Sequence, residues 1–238
     1  MPAEIPDTSH HDAKGDFFAE YASTNATNAH VDRPAMLGLG DDHLGDVAGL
    51  DVLDVGCGPG FHAAALLGRG ATVTGIDGSA TLPEQAREVT GGRATLHHHN
   101  LEQRLDFAAD RSYGLSLMAL DYHHVHDRPQ LLTELRRVLR PGGRMLISTT
   151  HPTAEQRWLG GSYFAGGRVE TPVDDGKFSI DYERMTLETL LNELIHGGFT
   201  LERIGEPRPI EALRDVDPER YERMSTDPTI LTLALRRS

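Results

Sequence analysis

The chain is short of several things, and each shortage narrows what it can be. One cysteine, Cys57, among 238 residues leaves no internal disulfide to form, so the sequence suits a reducing compartment and a cytoplasmic location is expected. No apolar run approaches the ~18 residues that cross a bilayer. The opening stretch MPAEIPDTSHHDAKGD is polar and lacks the apolar centre of a secretory signal, so no membrane partner is expected. Basic residues are outnumbered, 23 Lys and Arg against 36 Asp and Glu, for a net charge of −13. That balance repels a phosphate backbone, and no basic stripe offsets it. Nucleic acid is therefore not an expected partner either.

What is present is an alternation of short apolar runs with helical segments. LDVLDVG (Leu50–Gly56), ATVTGID (Ala71–Asp77), ATLHHHN (Ala94–Asn100), YGLSLMALD (Tyr113–Asp121) and RMLISTT (Arg144–Thr150) read as five strands. FHAAALLGRG, ATLPEQAREVTGG and RPQLLTELRRVLRPGG read as helices stopped by glycine. FTLERI and TILTLALRR add two strands near the end. The pattern predicts an α/β fold, doubly wound, with a mostly parallel seven-stranded sheet, an antiparallel far-edge strand and helices on both faces. Residues 1–49 read as an N-terminal tail and helical segment, and 50–238 as the main domain. Glycine-rich 151–186 and polar 207–227 read as insertions in it.

The strongest chemical signal is VLDVGCGPGFHAA, which starts at Val52. A strand ends, glycines follow at Gly56, Gly58 and Gly60, and a helix begins. Glycine permits positive φ and lets a ligand approach the backbone. Asp77, ending the next strand, can accept hydrogen bonds from both hydroxyls of a ribose. Gly58 to Ala63 also satisfies the G-x-G-x-x-A pattern of nicotinamide enzymes. Two details favour a different ligand. Asp54, just before the turn, suits an ammonium better than a pyrophosphate, and Pro59 removes an N–H that a phosphate would use.

VLDVGCGPG followed by VTGID resembles the first motif and acidic strand end of class I S-adenosylmethionine-dependent methyltransferases, and LLTELRRVLRPGGRMLIS resembles their fifth-strand region. The likeness is greatest to the small-molecule branch that includes ubiquinone/menaquinone-type and natural-product enzymes. It runs from about Leu50 to Pro152. It implies a Rossmann-like fold, with S-adenosylmethionine as cofactor and S-adenosylhomocysteine as its product. Asp54, Gly56, Gly58 and Gly60 would surround the methionine part, and Asp77 would hold the ribose. Gly78 and Ser79 would lie beside the adenine, Asn100 and Leu101 at its edge, and Met118 and Ala119 near the methionine. FFAEYASTNATNAHVDRPAM resembles the helical cover of this branch, which would bring Tyr21 to the cofactor carboxylate.

DYHHVHD, Asp121–Asp127, lies where related enzymes carry SLxLHYxxD, so His123 falls on their histidine. The resemblance implies a small-molecule acceptor methylated at O or N by in-line displacement, mainly through positioning. His123 would contact the substrate or serve as base, with His124 and Tyr163 as further substrate contacts. Trp158, Phe164 and Arg168 are candidates for the same pocket. Asp127 reads as a helix N-cap, His126 as exposed, and DPERYER as a solvated helix face. Cation-dependent relatives place a ligand at the Asp121 position but also need an acid-amide pair, which STTHPTAEQ lacks; no metal is expected. Two alternatives stand beside this reading, an NAD-dependent oxidoreductase and a non-catalytic S-adenosylmethionine-binding protein. Oligomeric state is not set by the sequence.

Overall fold

In the computed structural model, which describes residues 24–173 and 178–238, the apolar runs form strands because their alternate residues are buried on both faces of a sheet. A π-helical turn Asn28–Asp32 leads into helix α1, Arg33–Leu44. Then follow β1 (Asp51–Val55), α2 (Phe61–Gly68), β2 (Thr72–Asp77), α3 (Leu82–Val89), β3 (Thr95–His98) and β4 (Tyr113–Ala119). A 3₁₀ turn, Tyr122–His124, precedes α4 (Arg128–Val138) and β5 (Leu139–Thr150). The later elements are α5 (Pro152–Leu159), β6 (Gly167–Val173), β7 (Phe178–Arg184), α6 (Leu187–His196) and β8 (Phe199–Gly205). The short α7 (Ala212–Val216), α8 (Pro218–Thr226) and β9 (Ile230–Arg237) complete the series.

The main sheet has seven strands in the order β3-β2-β1-β4-β5-β9-β8. β3, β2, β1, β4 and β5 pair in parallel. β9 runs antiparallel to both its neighbours. The antiparallel strand therefore lies one place in from the edge, and β8 takes the outermost position. Period-two alternation divides the core: Leu53 and Val55 enter one apolar cluster and Val52 the other, across the sheet. β5 begins at Leu139, earlier than RMLISTT, because Pro141-Gly142-Gly143 is absorbed as an irregularity in the β4–β5 register. The 151–186 segment forms α5 and a separate two-stranded sheet of β6 and β7.

Strand order reverses between β1 and β4, which opens a crevice at their carboxyl ends where ligands bind in open α/β sheets. The chain just beyond β4 is fixed there by charge. Asp127 Oδ1 accepts the Gln130 N–H at 3.0 Å and starts α4 as an N-cap. Arg128 donates to Glu193 of α6 through Nε at 2.9 Å and Nη2 at 3.0 Å, and Tyr122 donates its hydroxyl to the same carboxylate at 2.9 Å. Arg128 is buried, so removing Glu193 leaves a buried charge with only Glu183, 4.0 Å away, to offset it. Glu193→Ala is expected to cost about 3 kcal/mol, read as a lower urea midpoint at unchanged slope. The Arg128→Met/Glu193→Met double variant should recover most of the loss.

Candidate functional site

The glycine turn after β1 is held by its own backbone. Cys57 N–H donates to Ile76 O and Gly60 N–H to Cys57 O, both at 2.9 Å, and Gly58 N–H donates to Asp77 Oδ2 at 2.8 Å. With Pro59 supplying no N–H, the turn has few amides left for a pyrophosphate. Asp77 Oδ1 also takes the Ser79 N–H at 2.9 Å, so this carboxylate clamps β2 to the turn. Two glycines are required sterically. At Gly56 (φ +67) a Cβ would lie 2.3 Å from the Asp121 side chain, and at Gly60 (φ +83) one would lie 2.9 Å from Ala86 Cβ. Leu120 takes φ +63, a rare conformation outside glycine, and this bend turns Asp121 back over Gly56.

A cavity of about 1090 Å³ opens above these strand ends. Three carboxylates line its floor, Asp32 from the N-terminal turn, Asp77 from β2 and Asp121 after β4, and Asp54 of β1 is buried close behind them. Burial raises Asp32 to about 6, against the pull of Ser148 and Arg33. Burial and then the neighbouring Asp77 raise Asp54 to about 7. Asp121 is pushed well above the carboxylate range by burial and by Asp77, Asp54 and Asp32 in turn. The Cys57 thiol is driven up by burial and the same acids. Burial, and secondarily Arg33, lowers His62 to about 4, so it is neutral. Within the described residues Asp32 Oδ1, Asp54 Oδ2 and His62 Nε2 are buried without a hydrogen bond. Such atoms are costly unless a ligand or water meets them. The arrangement attracts positive charge and repels an anion.

The opposite wall is built around the 3₁₀ turn. His123 Nδ1 pairs with Thr149 Oγ1 at 2.9 Å, and His124 Nδ1 with the Asp181 carbonyl at 2.8 Å. Burial, then His124, Arg168 and Arg128, hold His123 well below its ordinary range. Arg168 of β6 does not line the cavity. Its Nη2 donates to His124 O at 2.8 Å, and its Nε binds the Asp181 carboxylate at 3.0 Å. It thus ties the β6–β7 pair to the histidine turn. His126 is not exposed: it lies 2.9 Å from Arg168 Nη2 and 3.8 Å from Asp181. Its position beside the Arg168–Asp181 ion pair, which leaves the ring half-buried, is the reason.

Of the residues singled out in the sequence, Gly56, Gly58, Asp77, Ala119, His123 and His124 line the cavity. Asp54, Gly60, Gly78, Ser79, Asn100, Leu101 and Met118 are not among the residues that line it. Asp54 is 1% exposed and takes the Ala63 N–H of α2. Met118 is wholly buried in the core. The Asn100 side chain accepts the Glu102 N–H at 2.9 Å. Tyr21 lies outside the described residues. Tyr163 is away from the cavity, its hydroxyl accepting the Leu187 N–H at 2.9 Å, and Phe164 is exposed. Trp158 does line the cavity and stacks on Tyr182 at 6.2 Å. The DPERYER helix is not simply solvated: Tyr221 and Met224 are buried, and Arg220, Arg223 and Met224 face the cavity. That amphipathic spacing was available in the sequence. Nothing local marks Asp32 as a buried acid.

The acid crowding has a measurable consequence. A carboxyl raised on folding holds its proton longer than in the unfolded chain, so its contribution to stability is full below about pH 4 and is lost as pH rises through the folded value. For Asp54 the window runs from 3.8 to about 7. Asp54→Asn removes this loss, so the variant should gain stability relative to the native chain from pH 4 to 7 in denaturant titrations. A difference independent of pH would contradict the crowding.

Residues 52–143 match the Methyltransferase domain family. The ubiquinone biosynthesis O-methyltransferase of Idiomarina loihiensis is 32% identical over 141 residues, which is 55% of this chain and 55% of its own. A solved S-adenosylmethionine dependent methyltransferase from Mesorhizobium loti superposes with a TM-score of 0.72 at 26% identity, covering 90% of this chain and 99% of its own. The 1,6-didemethyltoxoflavin-N1-methyltransferase of Burkholderia thailandensis, solved with 1,6-didemethyltoxoflavin and S-adenosylhomocysteine, shares the fold with a TM-score of 0.67 at 19% identity, covering 100% of this chain and 93% of its own. These likenesses agree with a turn whose amides are already engaged and a floor that rejects anions: residues 52–143 carry a methyltransferase domain, and the chain is similar over most of its length to S-adenosylmethionine-dependent methyltransferases of class I.

Proposed function

We propose that the protein transfers the methyl group of S-adenosylmethionine to an O or N nucleophile of a small-molecule acceptor by in-line displacement. The observation that carries this reading is the crowd of carboxylates at the cavity floor, with buried oxygens on Asp32 and Asp54 that make no hydrogen bond within the described residues. S-adenosylmethionine has an ammonium and a sulfonium, matching that floor, and the sulfonium supplies an already activated methyl group. The cavity, about 1090 Å³, exceeds the usual ~300–1,000 Å³ of single-ligand sites and has room for a donor and a small acceptor together.

In this reading Asp54 and Asp32 face the ammonium, and Gly56, Gly58 and Gly60 let the methionine part approach the backbone. Asp77 holds the ribose. Gly78, Ser79, Asn100 and Leu101 flank the adenine, and the end of β4 at Met118 and Ala119 borders the methionine. Tyr21 remains the proposed contact to the carboxylate. His123 orients the nucleophile. Its Nδ1 is engaged by Thr149, and the surroundings that depress its basicity make it a poor store for a proton. Alignment is the larger effect, since oriented reactants can lower barriers by about 7–11 kcal/mol. The roof of α5, β6–β7 and α8 keeps water from the line of attack.

Calorimetry should show S-adenosylhomocysteine binding and no NAD binding, with Asp77→Asn weakening the former about tenfold or more through loss of charged hydrogen bonds. NAD binding without S-adenosylhomocysteine binding would sink the proposal. On an acceptor that is turned over, His123→Ala should lower the rate by about 10–100-fold with S-adenosylhomocysteine affinity unchanged, and His123→Gln should recover part of it. A pH–rate limb near neutrality that vanishes in His123→Gln would mean that His123 accepts the proton.

A further inference from the structure

The mouth of the cavity carries the opposite charge to its floor. Arg220 and Arg223, one turn apart on α8, line it together with Arg157 of α5. Like charges at that spacing disfavour a helix, so their placement asks for a reason. Their near neighbours are mostly neutral. Arg220 Nη2 donates to Thr27 Oγ1 at 3.3 Å. Arg157 Nη2 donates to Pro228 O at 2.7 Å and its Nη1 to Thr153 Oγ1 at 3.3 Å, with Asp227, an exposed carboxylate, 4.0 Å away. Among the described residues neither Arg220 nor Arg223 forms an ion pair, although the chain has 36 acidic residues against 23 basic ones. The cavity lining also includes apolar Trp158, Ile180 and Met224, and Tyr182 makes ring contacts with both Trp158 and His123.

The geometry points to an acceptor with an anionic group, a carboxylate or a phosphate, at the end remote from its nucleophile, and an apolar or aromatic body between them. The guanidinium fork fits the paired oxygens of either anion. Trp158, stacked on Tyr182, gives a flat body a surface to lie on. The nucleophile then reaches His123 and the donor floor. This inference rests on the methyltransferase reading for its nucleophile, while the anion site itself is measurable without methyl transfer.

Trp158 is the chain's single tryptophan, so its fluorescence reports on this wall. The full chain, with and without saturating S-adenosylhomocysteine, is titrated with para-hydroxyphenylacetate, para-hydroxybenzyl phosphate and the neutral para-hydroxyphenylacetamide. At least one anion is expected to bind tenfold or more tightly than the amide, and the better anion identifies carboxylate or phosphate as the preferred group. Raising KCl from about 50 to 300 mM should weaken the anion and leave the amide unchanged. Arg220→Gln/Arg223→Gln should reduce the preference to less than threefold, and Arg220→Lys/Arg223→Lys should keep part of it. Equal binding of amide and anions, no saturable response to either anion, or a preference that survives both the double Gln variant and high salt overturns the proposal. Failure of S-adenosylhomocysteine to bind, with the anion preference intact, would instead count against the methyltransferase reading.

Discussion

The structure turns on the repulsion among carboxylates gathered where β1 and β4 part. Asp32, Asp54, Asp77 and Asp121 arrive from four separate segments, and burial raises three of them. A protein interior tolerates such a group only if protons or a cation neutralise it. Protons do part of this in the free protein. In the proposed function the ammonium and sulfonium of S-adenosylmethionine do the rest. The glycine turn is subordinate to this: its amides are consumed by Ile76, Cys57 and Asp77, so it contributes space and shape more than hydrogen bonds.

The acceptor wall depends on a second, smaller constraint. The carbonyls and rings of Tyr122–His124 are fixed from one side by Arg128 and Glu193, and from the other by Arg168 of the β6–β7 pair. His123 thereby has its ring set by Thr149 on the sheet and its basicity lowered by burial first, then by His124, Arg168 and Arg128. The residues that hold the wall in place add to the burial that keeps the histidine neutral. Position and proton affinity are one design decision here.

The parallel sheet, the strand order's reversal and the glycine turn were legible because they depend on local pattern: apolar runs, glycine stops, and an acid at a strand end. So was Asp127 as a helix cap, because capping is chemistry within four residues. The antiparallel strand's place one in from the edge was less so, since FTLERI and TILTLALRR carry no mark of which lies outermost. The site divided the same way. Asp77 and the glycines could be found from spacing, but Asp32 and Arg220 lie far from the motif and meet it only through tertiary packing. His126 and Arg168 were misjudged for a related reason: long-range ion pairing is invisible to a reading that sees one segment at a time.

The β6–β7 pair is a separate two-stranded sheet, fastened to the body by side chains and sharing no strand with the main sheet. The donor floor, in contrast, is made from the ends of the central strands. Changes in the hairpin or in α8 can therefore reshape the wall around Trp158 and His123 without disturbing the central strand ends. On the proposed assignment, acceptor preference can be retuned through the hairpin and α8 while the strand ends around the glycine turn keep their geometry.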